Sequence, residues 1–266
     1  MKPKYALITG ASSGIGLEIA KSLAKRNFNL VLTARSEETL KELSKEIAAN
    51  FSVKVDYISC DLINKEAPQQ LYDFCNEKGY QIEMLVNNAG YSIPTSFDQT
   101  PMEEEEEFIR VLGIAVISLC KQFINDMLER GQGRIMIVSS VAAFAPPSSI
   151  QTLYGPIKTF MNRFSESLNR NYNHKGITST AVCPGYTITN FHDASGVQKE
   201  MDSVPGFMKK KSKQVAEEAV IATLKGKKIC VPSKTFKVIV FLLKIIPHSF
   251  FSPLSAFLSP GRYIKK

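Results

Sequence analysis

The stretch YALITGASSGIG (residues 5–16) decides the fold of this chain. An apolar, β-forming run leads into a turn with glycines spaced G-x-x-x-G-x-G, and helical periodicity follows from Leu17 onward. Glycines at such a turn let the backbone bend tightly and approach a pyrophosphate, which amide groups at the helix N-terminus then bind. The spacing departs from the plain G-x-G-x-x-G fingerprint, and the alternative is a glycine-rich turn without a ligand. Its place between a strand and a helix favours a dinucleotide site. The residues predicted to form this site are Gly10, Ser12, Ser13, Gly14, Ile15 and Gly16.

The same alternation of β-rich and helical segments continues along the 266 residues. Helical periodicity is clear, for example, between residues 103 and 129. The strict alternation predicts one α/β domain with a doubly wound parallel sheet of about seven strands and helices on both faces. Ligands of such sheets bind beyond the carboxyl ends of the strands. The predicted strands after the first are LVLTA (30–34), KVDYIS (54–59), MLVNN (84–88), RIMIVSS (134–140), ITSTAVC (177–183) and KICVP (228–232).

Composition narrows the function classes. The five cysteines never form C-x-x-C, which predicts reduced thiols in a cytoplasmic protein, and the three isolated histidines predict no metal site. We expect no signal peptide at the N-terminus, and the apolar run 238–243 is shorter than the roughly 20 residues of a bilayer span. The net charge of +8 suits nucleic acid, anionic lipid or a phosphorylated ligand. We predict no nucleic-acid partner, because the basic residues lack aromatic interleaving and known nucleic-acid motifs.

The end of the second predicted strand indicates which dinucleotide binds. An NAD site would place an acidic residue here for the ribose hydroxyls, whereas this chain has Ala34 followed by Arg35. A guanidinium can bind a 2′-phosphate in a bidentate fork and stack on adenine, while a carboxylate would repel it. The alternative is a solvated arginine at the end of a strand. We therefore predict NADP(H), with NAD(H) as the second choice.

The stretch YGPIK (154–158) predicts an acid–base pair. Residues four apart share one helical face, so Tyr154 and Lys158 can point into one cleft. Pro156 is tolerated only in a first helical turn, which predicts a helix that begins at or just before Tyr154. A free phenol has a pKa near 10, and a neighbouring ammonium lowers it. The alternative is an exposed pair without chemistry.

The mechanism expected from this pair is hydride transfer between a nicotinamide and a carbonyl or alcohol substrate. Tyr154 would donate or accept the proton, and Lys158 would also bind the nicotinamide ribose. Ser140 stands 14 residues before the tyrosine, at the end of a predicted strand, where its hydroxyl can hold the substrate oxygen. The predicted catalytic residues are therefore Ser140, Tyr154 and Lys158.

Five pieces of sequence, taken in order, resemble the short-chain dehydrogenase/reductase (SDR) family over residues 5–232. They are TGASSGIG (9–16), Asp61-Leu62, NNAG (87–90), Ser140 with Tyr154 and Lys158, and PGYTIT (184–189). The resemblance implies a Rossmann-type fold and a small-molecule carbonyl or alcohol substrate. It further implies that Asp61 bonds the adenine amino group, that Leu62 packs beside the ring, and that two more groups line the cofactor. These are Asn88, Ala89 and Gly90 on the adenosine side, and Pro184, Gly185, Thr187 and Thr189 around the carboxamide.

One position departs from the family pattern. The family usually has an asparagine in its long central helix, which supports a water-mediated proton relay. Counted back from the RIMIVSS strand, this position is Leu112, followed by Gly113, and neither side chain can bind water. Two hypotheses follow: an enzyme with another proton route and altered activity, or a catalytically weak or inactive NADP-binding sensor or scaffold. The retained serine, tyrosine and lysine favour the enzyme.

The acidic run and the C-terminal third carry the remaining expectations. Residues 103–107 are expected to begin a helix, and the resemblance implies a homo-oligomer through the helix that follows and the tyrosine-bearing helix. We assign residues 1–233 to the NADP-binding domain. The resemblance implies a variable lid over the substrate at 190–212, which suits a hydrophobic substrate or is an ordinary surface flap. Residues 234–266 form an apolar, basic extension that either contacts a membrane peripherally or covers the cleft or a subunit interface. The expected location is the cytoplasm, with or without such membrane contact.

Overall fold

The structure is a computed structural model that describes residues 3–146, 152–189 and 205–245. Its strands are β1 (Tyr5–Thr9), β2 (Asn29–Ala34), β3 (Val55–Ser59), β4 (Ile82–Asn87), β5 (Gly133–Val138), β6 (Ile177–Val182), β7 (Thr187–Ile188), β8 (Lys210–Lys211) and β9 (Ile229–Cys230). Its α-helices are α1 (Gly14–Ala24), α2 (Glu37–Phe51), α3 (Ala67–Glu77), α4 (Met102–Ile109), α5 (Ala115–Arg130), α6 (Tyr154–Tyr172), α7 (Ser212–Leu224) and α8 (Lys234–Ile245).

The main sheet has seven strands in the order β3-β2-β1-β4-β5-β6-β9, and every pairing is parallel. This confirms the predicted α/β fold with a doubly wound parallel sheet. The first strand matches its predicted residues 5–9, and the last is shortened from KICVP to Ile229–Cys230. The strand order reverses between β1 and β4, which is where ligands bind in such sheets.

Two hydrophobic cores cover the two faces of the sheet. Alternate side chains of β1 belong to the two cores. Leu7 packs in the core with α3, α5 and α6, whereas Ala6 and Ile8 pack in the core with α1, α2 and α7. All five residues of β1 are buried, as expected for a central parallel strand. The sheet is therefore fixed from both sides, and its carboxyl edge is a rigid base for a site.

The long helix predicted over residues 103–129 contains a wider turn. A π-helical segment at Arg110–Ile114 joins α4 to α5. Within it, a Cβ added to Gly113 would lie 2.9 Å from Cδ1 of Ile157, so the glycine allows α6 to approach closely. Turns of this type occur frequently at functional sites.

Helix α6 begins at Tyr154, as the sequence predicts. The amide of Ile157 donates to the carbonyl of Leu153 at 2.9 Å, so Pro156 lies in the first turn, where its missing N–H has no helical partner to lose. Within the ranges that the structure describes, no helix is long and apolar enough to cross a membrane. The predicted lid and extension lie partly outside these ranges, which hold only 205–212 of the lid and 234–245 of the extension.

Candidate active site and cofactor cavity

A cavity of about 870 Å³ opens at the carboxyl edge of the sheet. Its wall is formed by the residues that follow β1 to β6, by the start of α6 and by one face of α4. The volume lies within the range of roughly 300–1,000 Å³ that is common for small-molecule and cofactor sites. The cavity therefore occupies the place that the strand order indicates.

The glycine turn is shaped by close backbone contacts. Gly10 and Gly14 have φ angles of +64° and +57°, which side chains rarely adopt. A Cβ on Gly16 would lie 2.2 Å from the carbonyl oxygen of Gly10, so only glycine fits there. Of the predicted turn residues, Gly10 and 12–15 line the cavity, whereas Gly16 lies behind the wall and permits its shape.

Asn88 holds this turn against β4. Its side-chain amide donates to the carbonyls of Thr9 at 2.9 Å and Gly10 at 3.1 Å. The hydroxyl of Thr9 in turn accepts from the amides of Asn88 at 2.9 Å and Ala89 at 3.0 Å. The resemblance implied that Asn88 lines the cofactor, and the structure shows that it also fixes the glycine turn.

The residues present fit a dinucleotide at this turn. The glycines of the turn carry no Cβ atoms. The space that such atoms would fill leaves room for a phosphate group close to the backbone. Ser13, the N-cap of α1, makes no side-chain capping hydrogen bond within the described structure, so the first amides of that helix are not satisfied by it. Amides of this kind bind phosphate groups well.

The cavity wall after β2 and β3 carries the residues predicted for adenosine. Arg35, which is exposed, and the Asp61–Leu62 pair line the wall. One carboxylate oxygen of Asp61 accepts from the amide of Ile63 at 3.0 Å, which orients the carboxylate. The guanidinium is thus available at the cavity edge, as a 2′-phosphate site requires.

Among the lining residues that sequence reasoning missed are Tyr91, Glu104 and Glu107. Burial, followed by the charges of Glu107, Asp61 and Glu104, raises the pKa of Tyr91 to about 12, so its hydroxyl remains a hydrogen-bond donor. The available signals were the position of Tyr91 directly after NNAG and the three-residue spacing of the two glutamates, which puts them on one helical face.

Ser140, two residues after β5, lines the same cavity as Tyr154 and Lys158 of α6. The amine of Lys158 donates to the carbonyl of Val138 at 3.0 Å and lies 5.6 Å from the ring centroid of Tyr154. Ser139 fixes the same residue by donating its hydroxyl to the Lys158 carbonyl at 3.0 Å. The predicted triad is therefore assembled on two rigid elements.

Burial changes the expected charge of the lysine. Lys158 is 6% exposed, and its burial lowers the pKa of the amine to about 8. The sequence predicted an ammonium beside the phenol; with a pKa of about 8, that ammonium is only modestly favoured near neutral pH. Its proton can therefore exchange in the physiological range.

Ser140 is held as the cap of a short 3₁₀ turn. Its hydroxyl oxygen accepts from the amide of Ala142 at 3.1 Å. That bond uses a lone pair, and a hydroxyl can still donate its hydrogen to a substrate oxygen. The next amide, that of Val141, donates to the carbonyl of Pro184 at 2.9 Å and ties this turn to the loop after β6.

The loop after β6 supplies Pro184, Gly185, Thr187 and Thr189 to the wall. A Cβ on Gly185 would lie 2.1 Å from Cε2 of Phe236, which belongs to α8. The C-terminal helix therefore packs directly on the back of the cavity wall. Sequence reasoning placed this segment outside the shared motifs and gave covering the cleft as one alternative, without naming Gly185 or Phe236 as the contact.

A buried leucine side chain occupies the position where the family usually has an asparagine. Leu112 is 2% exposed, and its Cγ lies 3.5 Å from the point where a Cβ on Gly90 would stand. Its neighbour Val111 lines the cavity. Along the described wall, the π-helical segment thus contributes an apolar side chain only.

Comparisons with known proteins agree with this architecture. A family model for short chain dehydrogenases matches residues 4–200. The chain is 35% identical over 198 residues to a very-long-chain 3-oxoacyl-CoA reductase of Anas platyrhynchos, and the match covers 72% of this chain and 62% of the duck protein. It thus spans less than two thirds of that relative.

Solved structures show the same fold. A short-chain dehydrogenase from Sphingobium yanoikuyae in complex with NADPH superimposes with a TM-score of 0.82, at 25% identity and over 99% of both chains. A bulky-bulky ketone specific alcohol dehydrogenase from Comamonas testosteroni gives a TM-score of 0.76 at 26% identity, over 92% of this chain and 95% of the other. With the matched family model and the cavity at the switch of strand order, the chain belongs to the short chain dehydrogenase family of oxidoreductases.

Proposed function

We propose that the protein is an NADP(H)-dependent oxidoreductase that transfers a hydride between the nicotinamide and a hydrophobic carbonyl or alcohol substrate. The observation that carries the proposal is the assembly of Ser140, Tyr154 and Lys158 on one cavity wall, with the glycine turn and Arg35 on the same cavity. A bound nicotinamide would supply or accept the hydride. The residues that would hold this cofactor are those of the glycine turn, Arg35, Asp61 and the loop 184–189.

The three side chains divide the work at the substrate oxygen. Ser140 donates its hydroxyl hydrogen to that oxygen and fixes its position. In reduction, Tyr154 donates its proton to the oxygen as negative charge develops there, and in oxidation it takes the proton from the alcohol. The ammonium of Lys158 favours the phenolate that remains after reduction.

The phenol then needs a proton from elsewhere. The side chains of Val111 and Leu112 carry no hydrogen-bonding group, so neither can hold a relay water in place of the family's asparagine. Lys158 can resupply the proton, since burial lowers the pKa of its amine to about 8. The exchange would be fastest near that pH.

A hydrophobic substrate is supported by the relatives. The duck protein is named for very-long-chain 3-oxoacyl thioesters and the Comamonas enzyme for bulky ketones. We propose ketones with long or bulky apolar substituents as the substrate class, with 3-oxoacyl thioesters as the first compounds to assay. The sensor or scaffold hypothesis rests on Leu112 alone and is not favoured, because these relatives are a reductase and a dehydrogenase.

Tyr154→Phe tests the catalytic proposal. We expect the turnover of NADPH with 3-oxoacyl thioesters or bulky ketones to fall by about 10²–10⁴-fold, the usual contribution of a general acid. NADPH binding, followed by fluorescence titration, should be retained. A wild-type protein that binds NADPH tightly but reduces no ketone, aldehyde or quinone would contradict the enzyme proposal and favour the sensor hypothesis.

A marked gain in turnover by Leu112→Asn would show that this position limits the proton route.

Arg35→Ala tests the cofactor choice. Hydrogen bonds to charged groups contribute about 1.5–3 kcal/mol, so the KM for NADPH should rise about 10- to 150-fold while that for NADH changes little. Arg163→Ala, at an exposed arginine paired with Glu166, is the matched control. Equal effects on NADPH and NADH would remove the 2′-phosphate role from Arg35.

A further inference from the structure

Helix α8 has two apolar faces, and one of them is exposed. Phe236 and Val240 are each 5% exposed and belong to the core beside Gly185. Four large apolar side chains on the same helix point outward at the spacing i, i+3, i+4 and i+7. These residues, the outer stripe, are Val238 (60% exposed), Phe241 (61%), Leu242 (43%) and Ile245 (63%).

Such a stripe has a meaning that single exposed residues lack. Isolated apolar side chains are normal on protein surfaces, whereas a contiguous apolar face marks an interaction site. A helix that served only to cover the cavity wall would be polar on its outer side. The outer stripe therefore requires a partner.

The charge of the chain identifies that partner. Residues 1–224 contain 24 basic and 25 acidic residues, whereas residues 225–266 contain nine basic residues and no acidic one. The whole net charge of +8 thus comes from the segment that contains α8. Within α8, Lys244 follows Leu242 and Leu243 in sequence, and its amine lies 5.0 Å from the ring centroid of Phe144.

We propose that the outer stripe of α8 docks on the surface of an anionic lipid bilayer. An apolar helical face beside basic residues is the pattern of helices that lie in a membrane interface. A second copy of the chain is a poorer occupant, because it would bring two segments with nine basic residues each into contact. The sequence beyond α8 continues the same composition, with Phe250, Phe251, Leu254, Phe257 and Leu258 followed by Arg262, Lys265 and Lys266.

The docking places the bilayer on the outer side of α8, whose inner side packs on the back of the cavity wall. Phe236 packs on Gly185, which lies in the segment after β6. Lys244 lies over Phe144, which ends the 3₁₀ turn that Ser140 caps. A hydrophobic ketone dissolved in the bilayer would thus be concentrated next to the site. This consequence rests on the proposed function, whereas the docking itself does not.

Vesicle sedimentation of the full chain tests the docking. Vesicles of phosphatidylcholine alone are compared with vesicles that also contain phosphatidylserine. We expect binding to the anionic vesicles, weakened by salt, and a fall in partitioning of about tenfold or more for Val238→Glu/Phe241→Glu. Phe97→Glu, at a side chain 57% exposed in the loop before α4, is the matched control and should bind as the wild type does.

Three results would overturn the proposal: the wild type does not bind anionic vesicles, the double variant binds them as well as the wild type does, or Phe97→Glu loses as much binding as the double variant. If the wild type does not bind lipid and the double variant changes its oligomeric state, the stripe is instead an interface between copies of this chain. Retained NADPH binding and retained turnover of a short, water-soluble ketone show that the double variant is folded. They also separate this test from that of the proposed function. If the double variant does not fold, the milder Phe241→Ser should still weaken binding severalfold, and unchanged binding would equally overturn the docking.

Discussion

Replacing Lys158 by methionine should stabilise the cofactor-free protein in a pH-dependent way. The lysine is 6% exposed, and its amine donates to the carbonyl of Val138 at 3.0 Å. Burial of a charged amine with so little compensation is unfavourable. Methionine has a similar length and carries no charge, so Lys158→Met removes this cost together with the proposed catalytic role of the amine.

The magnitude follows from the shift of the pKa. Burial lowers the pKa of Lys158 from 10.5 to about 8. A group whose folded pKa lies below its unfolded pKa destabilises the fold while both states are protonated, and this penalty disappears as pH rises between the two values. Between about pH 7 and about pH 10, the wild type should therefore gain about 2.5 kcal/mol of unfolding free energy relative to Lys158→Met. Cys183, which interacts with the amine, stays a thiol throughout, because burial raises its pKa to about 12.

Urea unfolding of both proteins without cofactor measures this difference, at several pH values across that range. The lost hydrogen bond to Val138 changes the offset between the two proteins by about 1 kcal/mol, but it does not create the slope with pH. Lys45→Met, at an exposed lysine, corrects for the general effect of removing one positive charge. A difference between wild type and Lys158→Met that is constant with pH, or that grows in favour of methionine as pH rises, would refute the reasoning.

Three further variants test the packing around the site. Gly16→Ala places a Cβ 2.2 Å from the Gly10 oxygen, so NADPH binding should weaken by at least about tenfold in a fluorescence titration, and unaltered affinity would contradict the tight turn. Gly185→Ala should lower the free energy of unfolding, measured in urea, by about 1–3 kcal/mol. In the double variant Gly185→Ala/Phe236→Ala, part of that loss should be recovered, and strictly additive losses would contradict the contact. Phe160→Glu changes an exposed side chain (49%) on α6, the tyrosine-bearing helix. If α6 joins two copies of the chain, as the family resemblance implies, light scattering should report a smaller particle for this variant. An unchanged mass would place the interface elsewhere.

The fold was predictable because its decisive features are local in sequence. The run YALIT and the glycines that follow it are specified by steric limits on the backbone, and the start of α6 is specified by Pro156. The π-helical turn at Arg110–Ile114 was not predicted. Such a turn contains one inserted residue, and the helical periodicity of the apolar residues is the same before and after it. It becomes understandable only when Ile157, 44 positions after Gly113, is seen against that glycine.

The site was predictable where a motif names the residue and unpredictable where tertiary packing does. Motifs placed Ser140, Tyr154 and Lys158 on the cavity wall. They gave no hint that the same lysine is buried deeply enough to lower its pKa to about 8, because burial depends on several distant elements. Nor did they show that Glu104 faces the cavity, since an acidic run at a helix start has a sufficient local explanation in the helix dipole.

The contact between Phe236 and Gly185 decides how the C-terminal segment has to be tested. A truncation at Ser233 would remove any bilayer contact, but it would also remove the ring that fills the space behind the cavity wall. Loss of vesicle binding in such a chain would be indistinguishable from a collapse of the loop after β6. The outer stripe can be changed without this ambiguity, because Val238 and Phe241 are at least 60% exposed and lie on the opposite side of the helix from Phe236. If those substitutions abolish lipid binding while turnover of a soluble ketone persists, the two faces of α8 have separate roles, one on the enzyme and one on the bilayer.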